Sequence, residues 1–232
     1  MSENKKRKSE DVVPFTKWTP ELFLEKFAFE YRPILMNLFE PESLNISQKV
    51  VDFISEGVAS VIQAQSEIDL MNETSREDII QTILSGLIAH LNKQFGHKIL
   101  TLKREESFLG NFSVGRVEFM IKSHQIILMI VEAKRQDMSF GLLQNIMEIH
   151  QAGQLNGPDK IVYGVISTAE EWVFTKYINK TPQNMANWWK SPIYNLAPYT
   201  QKQEDPEAWR PCIDKITGML NWILQEAIKE LS

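Results

Sequence analysis

Cysteine is nearly absent: Cys212 is the only one in 232 residues, so no intrachain disulfide can form and a cysteine-based zinc site is excluded. A lone cysteine of this kind reads as a small, buried or half-buried hydrophobe. Histidine is sparse as well, and His90, His97, His124 and His150 do not fall at metal-ligand spacings. No unbroken apolar run approaches the ~18 residues of a membrane span, and the N-terminus lacks the apolar core of a secretory signal. The expectation is an intracellular protein with no membrane partner. An excess of positive charge is missing too. The net charge of −5 gives no global attraction to nucleic acid, so such a partner would need a local basic face. There is neither an internal repeat nor a low-complexity linker.

What is present is a globular composition, 43% hydrophobic and 24% charged, in a chain long enough for one domain with appended segments. Residues 1–13 are polar and carry Lys5-Lys6-Arg7-Lys8, which reads as a solvated tail, a nuclear-import signal or a basic arm that touches phosphates. Residues 14–70 read as a helical extension packed on the core. There Thr19-Pro20-Glu21-Leu22 places a cap residue before a proline at the first helical position, and Leu22, Phe23, Phe27 and Phe29 follow before Pro33 interrupts. A second helix is expected from Ser47 to about Gln63 on the spacing of Val50, Val51, Ile54, Val58 and Ile62.

Residues 71–180 carry the candidate chemistry. Asn72-Glu73-Thr74-Ser75-Arg76 leads into the apolar stripe Ile79, Ile80, Ile83, Leu84, Leu87, Ile88 and Leu91, and Glu73 or Glu77 would sit in the first turn, where the helix dipole favours an acid. After Gly96 the period changes from helix to strand, with a short strand at Lys98–Leu102 and a loop from Glu105 to Asn111. From Val114 to Lys122 side chains alternate, with Val117, Phe119 and Ile121 on one face and Arg116, Glu118, Met120 and Lys122 on the other. Ile126–Val131 is a continuous apolar run ending in Glu132-Ala133-Lys134, so Glu132 and Lys134 point the same way.

Whether Glu118 shares that face depends on the turn between the two strands. A three-residue connection, Ser123 to Gln125, sets Glu118 opposite Ile130 and diagonal to Glu132, about 7–8 Å apart at the backbone. A two-residue turn flips one of the pair away unless a bulge restores the register. Beyond lie a helix over Phe140–Leu155 bearing Gln144 and Gln151, strands at Ile161–Ser167 and Trp172–Tyr177, and, in residues 181–232, a loop-rich stretch from Pro182 to Pro198 with Trp188-Trp189 and a closing helix packed on the core. The two tryptophans could stack on bases, although core packing explains them more simply.

The element order, with Glu118 on one strand and Glu132-Ala133-Lys134 on the next, resembles the PD-(D/E)xK nuclease superfamily over about Asn72 to Tyr177. Within it the chain is most similar to the nuclease-like C-terminal domains of Crinkler-type effector proteins, through Asn-Glu-x-x-Arg at 72–76, Gly115-Arg116-Val117-Glu118, Val131-Glu132-Ala133-Lys134 and Gln144-Asn145-Ile146-Met147. Glu118 stands where the family usually has aspartate and Val117 where it often has proline, and no Crinkler translocation motif is evident. The resemblance implies a restriction-endonuclease-like three-layer αβα core with a central mixed sheet. It also implies Mg²⁺ or Mn²⁺ held by Glu118, Glu132, Glu73 and the carbonyl of Ala133, with Lys134 at the phosphate and Gln144 looking back at the site.

Such a set suits hydrolysis of a phosphodiester, most simply in DNA and in principle in RNA. Hard cations prefer carboxylate oxygens, a bound cation activates water and steadies the leaving oxygen, and an ammonium opposes the charge that develops on the phosphate. Arg104, Arg116, Lys122 and Arg135 are the candidate phosphate contacts. Two other readings follow from the same residues: a catalytically silent nuclease-like module that binds nucleic acid or a host protein, and a self-associating scaffold, such as a homodimer, built on the N-terminal helices.

Overall fold

Most buried apolar side chains belong to two clusters, one on each face of a single mixed β-sheet. The computed structural model describes residues 12–27, 36–65, 72–109, 113–136, 138–181, 187–196 and 205–231. Lys5–Lys8, Phe29, Pro33, Asn111, Pro182 and Pro198 lie outside them. In chain order the elements are β1 (Val13–Pro14), a 3-10 turn (Phe15–Lys17), α1 (Pro20–Phe27), β2 (Asn37–Leu38), α2 (Gln48–Ala64), α3 (Glu73–Gln94) and β3 (Thr101–Leu109). There follow β4 (Ser113–Ser123), β5 (Ile126–Ala133), α4 (Met138–Asn156), β6 (Ile161–Ser167), β7 (Glu171–Ile178), β8 (Trp188–Lys190), β9 (Tyr194–Asn195) and α5 (Pro206–Lys229).

The strands run β1-β4-β5-β6-β7-β8-β2, with β3 on β4 and β9 on β7. Neighbours β3/β4, β4/β5 and β6/β7 are antiparallel, whereas β5 and β6 are parallel and joined through α4, as a parallel pair requires a crossover. Helices α2, α3 and α5 cover one face through Ile54, Val58, Ile83, Leu87, Leu220 and Leu224. Helix α4 covers the other, itself roofed by Phe15, Trp18 and Phe23. The protein is therefore a mixed α/β structure, and α2 and α5, from the two expected extensions, share one core with the sheet.

Local signals explain the helix starts. Thr19 Oγ1 accepts a hydrogen bond from the Leu22 N–H at 3.2 Å, and the Asn72 side chain accepts from Ser75 N–H at 2.9 Å. Both satisfy N–H groups that a helix N-terminus leaves without partners. No helix among the described residues is long and apolar enough to cross a membrane.

The structure departs from the sequence reading at several places. Val13, the last residue of the expected tail, joins Pro14 in β1, and residues 14–70 supply β2 as well as helices, because two-residue segments gain backbone partners at Ser113–Val114 and Trp189–Lys190. The short strand expected at Lys98–Leu102 is instead β3, which extends to Leu109 through the expected loop from Glu105. Its charged run Lys103-Arg104-Glu105-Glu106 hides the strand from a hydrophobic pattern, as suits a sheet edge. Trp188 lies on β8 and is buried against Tyr177 and His150, so it is a core residue. Trp189 is half-buried beside the Lys176 ammonium.

Between β5, β6 and β7 the tightest packing is at Gly164. An added Cβ there would lie 2.0 Å from Asn145 Oδ1 and 2.2 Å from Thr175 Oγ1. These two atoms share a 2.8 Å hydrogen bond, and the Asn145 amide also donates to the Ile130 carbonyl at 3.3 Å. Gly164→Ala is therefore expected to lift α4 from the sheet and destabilise the fold by about 1–3 kcal/mol, read as a lower urea midpoint with an unchanged slope.

Candidate active site at the fork between β4 and β5

Strands β4 and β5 pair only as far as Phe119↔Val131 and then diverge. Beyond that point β5 continues on β6 through Glu132↔Ile166 and Ala133↔Ser167. The next residues past the last rung are Glu118 on one strand and Glu132 on the other, so the two acids stand at the mouth of a fork.

Their common face is set by a bulge. The turn has two residues, His124 and Gln125, not three, and the first rungs are Ser123↔Ile126 and Lys122↔Ile127. Carried on unbroken, that register would place Glu118 against Val131 and turn it away from Glu132. The register shifts between Ile121 and Lys122, where Leu128 is the extra residue, and resumes at Ile121↔Met129. One inserted residue reverses the parity of every later position. Glu118 thus aligns with Glu132 and not with Ile130, as the three-residue connection would have had it.

A second irregularity frees the Glu118 side chain. The β3/β4 ladder passes from Arg104↔Phe119 to Glu106↔Val117, skipping Glu105 and Glu118, and Glu105 has a φ of 51°. Left-handed backbone at a non-glycine residue interrupts the regular alternation of a strand. Phe119 and Ile121 accordingly pack with α3, but Val117 packs in the opposite cluster with Phe15 and Phe108. The expected grouping of Val117 with Phe119 and Ile121 does not hold.

At the fork five side chains meet: Lys134, Glu132, Glu73, Glu118 and Gln144. Lys134 Nζ lies 2.5 Å from Glu132 Oε1, 3.3 Å from Glu73 Oε1 and 3.6 Å from Glu118 Oε1. Glu73 comes from the first turn of α3, and α3 is tied down by Arg76, whose guanidinium donates to the Thr168 carbonyl at 2.5 Å and pairs with Glu170 at 2.9 Å. The Ala133 backbone N–H, released from β4 by the fork, donates to Glu118 Oε2. Because N–H and C=O of one extended residue point the same way, the Ala133 carbonyl also faces the fork. Gln144 donates its amide N–H to Glu132 Oε1. Gly141 makes room for Lys134, since a Cβ there would lie 2.8 Å from Lys134 Cγ.

One residue outside the sequence reading belongs here. Glu148, fully buried on α4, accepts from Gln144 Nε2 at 3.1 Å. Its spacing of four from Gln144, on one helix face, was the available signal, masked by the many apolar residues of that helix.

Other candidates sit elsewhere. Arg104 is held by Glu77 at 2.8 Å and by Gln81 at 2.6 Å, and Arg116 pairs with Glu105 at 2.8 Å. Lys122 lies at the turn end of the hairpin, four positions from Glu118 and so about 13 Å along the strand. Arg135 is exposed directly after Lys134. His150 is buried in an aromatic cluster with Phe27, Tyr177 and Trp188.

One ammonium faces several carboxyls, of which Glu132 is buried, Glu118 mostly buried and Glu73 half exposed, and the protonation equilibria follow. Burial lifts the Glu118 carboxyl to about 9, Glu132 adding to the effect and Lys134 opposing it. Burial likewise lifts Glu132 well above the ordinary carboxylate range, helped by Glu148, and raises Glu148 itself to about 8. Burial alone would lower Lys134, but Glu132 and Glu118 outweigh it and hold the ammonium more firmly than usual.

The donor set is one of hard oxygens, which suits Mg²⁺ or Mn²⁺, and Glu132 Oε2 is buried without a hydrogen-bond partner. The carboxyls nevertheless gather on an ammonium: among the described residues no three His, Cys, Asp or Glu side chains form a ready metal cage. No family model matches this chain, and no curated protein matches it.

The raised carboxyl pKa values carry a sign for stability. The folded state keeps protons that the unfolded chain releases above about 4.5, so stability falls as pH rises from there toward 8–9. Thermal melts of the metal-free protein should show a falling Tm over this range. Glu118→Gln should make the fall shallower, because its neutral amide has no proton to lose, while Glu132 and Glu148 still lose theirs.

Proposed function

We propose that this chain is a metal-dependent phosphodiesterase of the PD-(D/E)xK type, built on a restriction-endonuclease-like core and acting on DNA. The observation that carries the reading is the convergence of Glu73, Glu118 and Glu132, from three separate elements, on the ammonium of Lys134 at the β4–β5 fork. Glu118, Glu132, Glu73 and the Ala133 carbonyl would hold the metal. When bound, Mg²⁺ or Mn²⁺ polarises the phosphoryl oxygen and makes water a better nucleophile at neutral pH.

The residues of the chain do the rest. Lys134, oriented by Glu132 and by the space over Gly141, presents a fixed positive charge to the phosphate, where charge builds in the transition state. Gln144 and Lys134 both engage Glu132 Oε1, which leaves Oε2 as the free oxygen. Arg135, exposed directly after Lys134, would supply a phosphate contact on the substrate backbone.

Plasmid nicking tests this directly. Wild type with Mg²⁺ or Mn²⁺ should convert supercoiled plasmid to open circles, and Glu132→Gln or Lys134→Met should each reduce the rate by at least about 10²-fold while circular dichroism shows a folded chain. Undiminished nicking in both variants would sink the assignment.

A second reading, a silent module that binds nucleic acid or a host protein, is favoured by one observation: Lys134 occupies the centre of the carboxyls, and no ready cage exists among the described residues. The readings part on metal. Binding to the native state raises Tm by mass action, so a silent module shows neither cleavage nor a metal-linked rise in Tm.

A further inference from the structure

Gln144, Glu148 and Glu132 form a buried chain in which one amide nitrogen serves two carboxyls. Gln144 Nε2 donates to Glu132 Oε1 and, at 3.1 Å, to Glu148 Oε1. All three side chains are nearly inaccessible, at 4%, 0% and 1% exposure for Gln144, Glu148 and Glu132. A carboxamide has one donor end and one acceptor end, and only the donor end is used: Gln144 Oε1 is buried with no hydrogen-bond partner. That orphaned carbonyl opposes this orientation, because an unpaired buried acceptor has lost its hydrogen bond to water and gained none in return. Two acceptors on the nitrogen side offset it. Glu132 alone supplies one of them, and the other is Glu148.

We propose that Glu148 is a positioning residue: it locks the Gln144 amide with its N–H₂ toward Glu132, so that the amide and Lys134 together claim Oε1 and leave Oε2 open. The inference deepens the phosphodiesterase reading and rests on it for its catalytic consequence, though not for the geometry itself. The lock comes from α4, because residues four apart on a helix lie one above the other, and that helix is fixed to the sheet by Asn145. With Glu148 absent, rotation of the amide by half a turn would set its carbonyl against Glu132 Oε1 and push the carboxyl away from Lys134.

The test has two arms. In the first, the side-chain N–H₂ of Gln144 is followed by ¹⁵N NMR of the full chain, its signal assigned by loss in Gln144→Leu. Two buried acceptors on one amide predict slow hydrogen exchange in wild type. Glu148→Leu should speed that exchange by about tenfold or more at a pH where the backbone spectrum of the variant stays native. Glu148→Gln, whose carbonyl can still accept from Gln144, should restore most of the protection. Unchanged exchange in Glu148→Leu overturns the proposal.

In the second arm, plasmid nicking is measured for Glu148→Leu, Gln144→Leu and the double variant. Each single change should lower kcat about tenfold with KM near wild type, and the double variant should be slower than Gln144→Leu by much less than a further tenfold, because the positioning effect of Glu148 runs through Gln144 and only its direct repulsion of Glu132 is left. Multiplying effects would show an independent role and overturn the proposal. A wild type that cleaves no DNA defeats the phosphodiesterase reading, while the exchange arm still decides whether Glu148 orients the amide.

Discussion

The register of β4 against β5 is the constraint on which the candidate site depends. A tight two-residue turn closes the hairpin economically, yet its natural register would point Glu118 and Glu132 to opposite faces. The extra residue at Leu128 reverses the parity before the strands part, and the break at Glu105 and Glu118 then lets the Glu118 carboxyl reach the Ala133 N–H. Neither device stabilises the sheet. Bulges and left-handed residues interrupt ladders, and they persist where the surrounding fold holds them in place for another purpose. Here the surrounding fold is the pair of apolar clusters that clamp Phe119 and Val131 on one face and Met120 and Ile130 on the other.

Electrostatics makes the same region a stress point. Burying carboxyls beside one another costs free energy unless protons or cations accompany them. Lys134 provides one cation for Glu73, Glu118 and Glu132 together, and Glu148 adds a further acid behind Gln144. A purely structural core would gain from replacing this group with apolar side chains of similar volume. Beside this group lie the unpartnered, buried Oε2 of Glu132 and the Ala133 carbonyl at the fork, and the proposed cation site is built on them. The arrangement also links the layers: α3 brings Glu73, the sheet brings Glu118 and Glu132, and α4 brings Gln144 and Glu148.

Packing around the site works through close approach. Gly141 lets the aliphatic stem of Lys134 cross the first turn of α4, and Gly164 lets Asn145 reach Thr175 through the sheet. Arg76 secures the start of α3 to the β6–β7 connection at Thr168 and Glu170. The Asn-Glu-x-x-Arg segment thus combines a cap, an acid and an anchor within a single helical turn.

Much of this was legible in the chain itself. Apolar spacing located α2, α3, α4 and α5, alternation and continuous runs located β4 to β7, and strand parity put Glu132 and Lys134 on one face. These are local properties, set by the period of side chains along a helix or a strand and by the chemistry of caps such as Asn72. Edge strand β3, with its charged run, and the short strands β1, β2 and β8 escaped notice because backbone pairing with distant partners, not hydrophobic pattern, defines them. So did the position of the bulge, which depends on how two clusters grip the hairpin, and the burial of Glu148, which depends on how α4 seats against β5 and β6. The sequence alone determined which residues could carry the chemistry. Only the tertiary structure decided that Glu73, Glu118, Glu132, Lys134 and Gln144 meet, because side-chain direction across a strand pair turns on a single residue of register that no local pattern encodes.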